Sequence, residues 1–263
     1  MSQSITVMSY NIRLDTESDG INQWKNRITN VGDLIKKYNP DLLGVQEALP
    51  NQVRDLKIIL PEYDFVGVGR EDGKEKGEYS AIYFKKNQFE VTDQGTFWLS
   101  TTPQVPGSKS WDAAITRIVT WALIKEKSSG KEFFYANTHF DHVGKEAREQ
   151  SAHIIKSYIT GFQYGIGREL PVMITGDFNS EPTEPAYKTM INGNEVKLVD
   201  SRPADNNTGT YCGFELNKIE CRTIDFIFHS THWRASGYQV IQDHDGKFYP
   251  SDHLPVLATL TFN

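Results

Sequence analysis

Cysteine is almost missing from this chain: Cys212 and Cys221 are the only two in 263 residues. That excludes a small fold held together by disulfides and a cysteine-rich zinc module. No apolar run approaches the ~20 residues that span a bilayer, so no membrane contact is expected. Clusters of basic residues are absent too. Lys and Arg number 28 against 34 Asp and Glu, for a net charge of −6. Tight non-specific grip on duplex nucleic acid needs a basic face that neutralises phosphates, and this balance disfavours it. The opening Met1-Ser2-Gln3-Ser4 carries no basic segment, apolar core or cleavage site, so a cytoplasmic monomer is expected. If Leu216-Asn217 turn a hairpin, the two thiols face each other on adjacent strands. Without a secretion signal they are expected to be reduced, with a cross-strand disulfide as the alternative.

What is present is a β-rich core. Hydrophobic residues make up 38% of the chain and include 14 Phe, 12 Tyr and 5 Trp, ample for packed layers. Strand-like runs fall at 5–12, 42–46, 65–68, 79–84, 89–91, 116–124, 133–137, 172–175, 224–228, 238–241 and 254–261. Some alternate apolar and polar residues; others are apolar throughout, as strands buried between layers are. Trp24, Ile28, Val31 and Ile35 recur at helical spacing until Pro40. Further helices are predicted at 51–60, at 145–159 before Gly161, and at 184–191. Four segments read as surface loops: 15–23, 69–78, 100–112 and 203–209. The pattern predicts two packed sheets with helices outside.

Several of these runs end on polar side chains. Ser9-Tyr10-Asn11, Gln46-Glu47, Thr138-His139, Gly176-Asp177-Phe178-Asn179 and Ser251-Asp252-His253 each close a β-type segment. Any one of them has an ordinary explanation: Glu47 as a solvated strand end, Asp177 and Asn179 as turn formers, His253 as a structural imidazole. Together they supply what phosphoester hydrolysis requires: a hard cation, an oriented water, donors for the phosphorane and a proton source. Because Asn11 and His253 stand near opposite ends, the site needs residues 1–263 as one domain.

Each role has a candidate. Glu47 is the expected metal ligand, with Asn11 and Asp252 beside it; magnesium, or manganese in its place, takes oxygen donors of this kind. Asp177 and Asn179, two apart on an extended segment, point the same way. One would orient water while the other donates to phosphate. Asp225 would fix the tautomer of His253, the base. Glu78 and His139 suggest a second acid–histidine pair. Arg117 suits a phosphate clamp or a solvated edge. Trp111 either stacks on substrate or anchors its loop. His139-Phe140-Asp141-His142 resembles a zinc pair only superficially, since no further ligands fit.

In order and spacing these motifs resemble the endonuclease/exonuclease/phosphatase superfamily over essentially the whole chain. The resemblance implies an α/β fold, a four-layer α/β/β/α sandwich of two mostly antiparallel mixed sheets flanked by helices. It implies a metal-dependent phosphodiesterase or phosphatase, with Glu47 on the metal, Asp177 on the nucleophile, Asn179 on the phosphorane and Asp225–His253 as the acid–base pair. Glu78 and His139 resemble the second pair of deoxyribonuclease-like members, and Arg117 a phosphate-contacting arginine. Thr138-His139-Phe140-Asp141-His142 is similar to the deadenylase and nocturnin-like branch. The expected substrate is single-stranded nucleic acid or a small phosphorylated molecule. A catalytically inactive binding module is the alternative.

Overall fold

Runs that are apolar from end to end become the inner strands. The computed structural model, which describes residues 4–193 and 195–263, has β1 (Ser4–Asn11), α1 (Trp24–Tyr38), β2 (Leu42–Ala48), α2 (Pro50–Ile59), β3 (Tyr63–Val66), β4 (Tyr79–Lys85), β5 (Phe89–Trp98) and β6 (Ile118–Glu126). It continues with β7 (Glu132–His139), α3 (Lys145–Ile166), β8 (Val172–Asp177), α4 (Pro185–Ile191), β9 (Leu198–Asp200), β10 (Asp225–Ser230), β11 (Trp233–Val240) and β12 (Val256–Phe262). Strands β2, β4, β8 and β10 are buried at every position.

Two six-stranded sheets result, ordered β11-β12-β1-β2-β4-β3 and β5-β6-β7-β8-β10-β9. Each contains one parallel pair, β1–β2 or β7–β8, among antiparallel neighbours. Each parallel pair is joined through a helix, α1 or α3, because parallel strands need a crossover. Alternation sorts the layers: Val7 faces the inter-sheet core with Phe133 and Met173, while Met8 packs outward with Val31 and Ile35 of α1. On the other side Ile174 and Phe134 meet Ala152 and Ile155 of α3. The expected four-layer α/β/β/α sandwich is what forms.

A polar bracket holds the two sheets together just below one end. Gln46 Nε2 donates to Asn137 Oδ1 across 2.7 Å, and Asn137 Nδ2 donates to the carbonyls of Val45 and Ala81, each at 2.9 Å. Gly44 permits this approach, because a Cβ there would lie 2.0 Å from Thr175 Oγ1.

Several expectations are corrected. Cys212 and Cys221 are not free thiols; they form a disulfide across the antiparallel Tyr211–Arg222 bridge. Helix α3 continues past Gly161 to Ile166 and stops at Gly167, whose φ of 68° is left-handed. A glycine costs a helix only about 1 kcal/mol, and apolar packing from Ile154, Tyr158 and Phe162 offsets it. Strand β5 extends to Trp98 through a bulge after Val91, β11 starts at Trp233, and β9 was not foreseen. Within the loop at 15–23 the chain makes a 3-10 turn, Glu17–Asn22. Among the described residues no helix is long and apolar enough to cross a membrane.

Candidate active site

Strands that run in parallel bring their carboxyl ends to one edge, and here both parallel pairs do so at the same end of the sandwich. Asn11 ends β1, Glu47 lies near the end of β2, His139 ends β7 and Asp177 ends β8. His139 and Asp177 are register partners. The segment before β12 adds Asp252 and His253, and Asp225 opens β10. These side chains surround a cavity of about 390 Å³ lined by Glu47, Arg117, His139, Asp177, Asn179 and His253, among others.

Asn11 is the hub. Its Nδ2 lies 3.0 Å from Glu47 Oε1, 3.0 Å from Asp177 Oδ2 and 3.4 Å from His253 Nε2, while its Oδ1 accepts from the Arg13 backbone N–H. One amide thus joins residues from both sheets. Buried Arg27 ties the flanks by donating to the carbonyls of Ile12 and Pro250. Neither this arginine nor its partners stood out in the sequence, because their contacts are to backbone oxygens far along the chain.

Two site residues sit in the left-handed region without being glycine: Glu47 with φ 63° and Asn179 with φ 45°. Such backbone costs of order 1–3 kcal/mol and concentrates at functional positions. At Glu47 the register of β2 against β4 slips between Val45 and Ala48, which swings the carboxylate into the cavity. At Asn179 the turn lets the backbone N–H donate to Asp177 Oδ1 at 2.9 Å and places Nδ2 3.0 Å from His139 Nε2.

Asp225 and His253 form the expected pair. His253 Nδ1 lies 2.9 Å from Asp225 Oδ2, which also accepts from the Thr210 hydroxyl at 2.6 Å. Burial would depress the imidazole, but the charges of Asp225 and Asp177 outweigh it and raise its pKa well above the ordinary value. Nε2, the nitrogen that faces the cavity, is 3.6 Å from Asp177 Oδ2. Burial, reinforced by the Asp225 charge, pushes Asp177 up to about 7. Burial also lowers His139, helped by the charges of Arg117 and Arg70.

The second acid–histidine pair is not made. Glu78 Oε2 accepts instead from Arg70 Nη1 at 2.6 Å and lies 3.8 Å from Arg117 Nη1. His139 turns its Nε2 toward Asn179 and Asp177, the latter 3.3 Å away, and its Nδ1 has no hydrogen-bond partner among the described residues. The sequence hid this arrangement because Arg70 lies in a loop, where no periodicity marks which side chains turn inward. Arg117 is buried, with Nη2 3.3 Å from His142 Nδ1, while Nε and Nη1 have no hydrogen-bond partner among the described residues, Glu78 being the nearest acid to Nη1 at 3.8 Å. It is therefore no solvated edge residue. Trp111 lies in the loop between β5 and β6 with a left-handed φ of 55° and does not line the cavity.

Glu47, Asp177 and His253 bring potential ligand atoms within 4.8 Å of one another. Asp252 stands behind them, its Oδ2 3.9 Å from Arg13 Nε. The residues fit a divalent cation: oxygen donors predominate, and buried carboxylates crowd together with Asp177 already driven toward its neutral form.

Residues 8–253 match the model of the endonuclease/exonuclease/phosphatase family. The chain belongs to this family. With the clustered acids and histidine, membership makes it a metal-dependent phosphoesterase. The structure of the family's protein from Bacteroides vulgatus is 40% identical, covers 99% of this chain and 100% of its own, and superposes with a TM-score of 0.90. The mannosyl-6-phosphatase of Bacteroides thetaiotaomicron is 37% identical over 98% of this chain and 100% of its own, with a TM-score of 0.91. Mouse nocturnin is 24% identical across 98% of this chain and 66% of its own length. The nocturnin-like branch suggested by Thr138–His142 is thus matched at lower identity than these bacterial members.

Proposed function

We propose that this member is a phosphatase that removes phosphate from a small phosphorylated sugar, using magnesium as its divalent ion. The observation that carries this reading is the size of the site: a cavity of about 390 Å³, the scale of a pocket for one small ligand. Its relative at 37% identity is a mannosyl-6-phosphatase. The chain's net charge of −6 also disfavours a track for long polyanions.

Roles follow from position. Magnesium would be held by Glu47, with Asn11 and Asp252 close by, and would supply Lewis acidity to the phosphoryl oxygens. Asp177 orients the attacking water, and His253, steered by Asp225, would receive its proton through Nε2 once the carboxylate charges that otherwise keep the imidazole protonated are offset by a bound cation. As the oxygen of water bonds to phosphorus, the bond to the sugar oxygen breaks in line, and that oxygen leaves as the hydroxyl by taking a proton from solvent, to which His253 later releases the one it received. Asn179, His139 and Arg117 donate to the phosphoryl oxygens as charge builds. Arg117 Nε and Nη1, which make no hydrogen bond among the described residues, are spare donors for that purpose. The Cys212–Cys221 bond is of a kind that persists in oxidising compartments, which weighs against the cytoplasmic placement expected from the first residues.

The test is a panel of hexose 6-phosphates, p-nitrophenyl phosphate, bis-p-nitrophenyl phosphate and single-stranded RNA, with magnesium and then with EDTA. Monoesters should be hydrolysed fastest, and EDTA should stop the reaction. Faster turnover of the diester or of RNA would overturn the phosphatase reading.

A further inference from the structure

The hairpin that carries the disulfide stands beside the catalytic cavity and opens a second one. Tyr211 and Arg222 face each other across its arms. Both line the catalytic cavity and also an adjoining cavity of about 470 Å³ that includes Glu181, Lys218 and Thr223. Among the described residues no other lines both. The two cavities therefore meet at this pair of side chains.

This wall is built rather than loose. Cys212 and Cys221 close the hairpin directly beyond the Tyr211–Arg222 bridge. The backbone N–H groups of Cys212 and Gly213 donate to the carbonyl of Asp252, at 3.0 and 2.9 Å, which anchors the arm to the segment carrying His253. The Tyr211 ring lies 4.9 Å from the His253 imidazole, centroid to centroid. Lys218 from the hairpin tip sits 5.2 Å from the same ring. Arg222 Nε donates to Glu181 Oε1 at 2.7 Å and remains half exposed.

An aromatic face beside a paired guanidinium and carboxylate offers an apolar platform edged with oriented donors and acceptors. That combination suits a ring bearing many hydroxyls. It does not suit an extended polyanion, because the guanidinium is already neutralised by Glu181. We propose that Tyr211 and Arg222 form the subsite for the non-reacting part of the substrate and determine specificity by holding its sugar ring. This proposal rests on the sugar-phosphatase reading given above.

The experiment compares KM for hexose 6-phosphates with the competitive inhibition constant of inorganic phosphate, in the intact protein and in Arg222→Ala. The expected result is a rise in KM of about tenfold with kcat preserved, the pattern left when binding common to ground and transition states is removed. The phosphate constant should stay within about twofold, since phosphate has no organic part to reach the hairpin. A second variant, Tyr211→Leu, should raise KM in the same selective way. An unmoved KM in both, or a parallel rise in the phosphate constant, would overturn the subsite. If the wild type hydrolyses p-nitrophenyl phosphate but no hexose 6-phosphate, the substrate reading fails and the subsite fails with it. If the wild type turns over hexose phosphates and the variants match it, the subsite alone is wrong.

Discussion

The exits of β7 and β8 are nearly the same piece of structure with opposite electrostatics. One leaves as His139-Phe140-Asp141, the other as Asp177-Phe178-Asn179, and the two phenyl rings meet edge to face at 4.8 Å. Asp141 and Asp177 are each 1% exposed, but Asp177 lies deeper in the protein. Yet Asp141 accepts from the backbone N–H groups of Ala114, Ile115, Val143 and Gly144. Although its burial opposes ionisation, those donors hold its pKa below the ordinary carboxylate value. Asp177 accepts from the Asn179 N–H and the Asn11 amide and has the His139 and His253 Nε2 atoms 3.3 and 3.6 Å away, yet burial with a neighbouring acid lifts it to about 7. Burial alone therefore does not mark a reactive acid. What separates them is depth together with whether the fold has already supplied the donors that a carboxylate needs.

The sharpest way to break this contrast is to neutralise each acid. Asp177→Asn should lower turnover by about two to four orders of magnitude, as expected for proton handling. Its melting temperature should hold or rise, because a poorly satisfied buried acid trades stability for function. Asn179→Ala comes next, with a loss of roughly 10²- to 10³-fold in kcat from a missing donor to developing charge; steady-state kinetics with p-nitrophenyl phosphate would read both. Asp141→Asn should instead destabilise the chain by about 1–3 kcal/mol in urea unfolding, the cost of depriving buried N–H groups of a charged acceptor. That gap has a sign in pH. Asp141 has a depressed folded pKa, so its contribution is full above the unfolded value near ~3.9 and fades as pH falls through the lower folded value. A gap that widened on acidification would contradict the assignment. The smallest effect is Phe140→Leu, about 1 kcal/mol of stability by calorimetry, since a similar volume refills the contact between the two exits.

How much of this was legible before folding depends on where each residue sits. Asn11, Glu47, His139, Asp177 and Asp225 lie on or at the ends of strands, and apolar runs announce their own ends, so this part of the site could be assembled from the chain alone. The sandwich was legible for the same reason: strands apolar throughout demand cover on both faces. Loop residues carried no such signal. Arg70 takes Glu78 away from His139, and Thr210 braces Asp225, through contacts whose partners no local pattern indicates. Helix α3 ran past Gly161 because packing at Phe162 overrode a local preference. The disulfide departs from the expected reduced thiols because the hairpin register puts the two sulfurs opposite one another, a constraint that redox compartment does not encode.

Strand β12 lies between β1 and β11, so one sheet is completed only by residues 256–262. His253 comes just before that strand, and its partner Asp225 comes only shortly earlier. During synthesis on the ribosome, a nascent polypeptide that has emerged as far as β8 already carries Glu47 and Asp177, yet it has neither the imidazole nor the strand that seals β1. With His253 in its proposed role, a chain halted before that residue would lack both the base and the strand that covers β1.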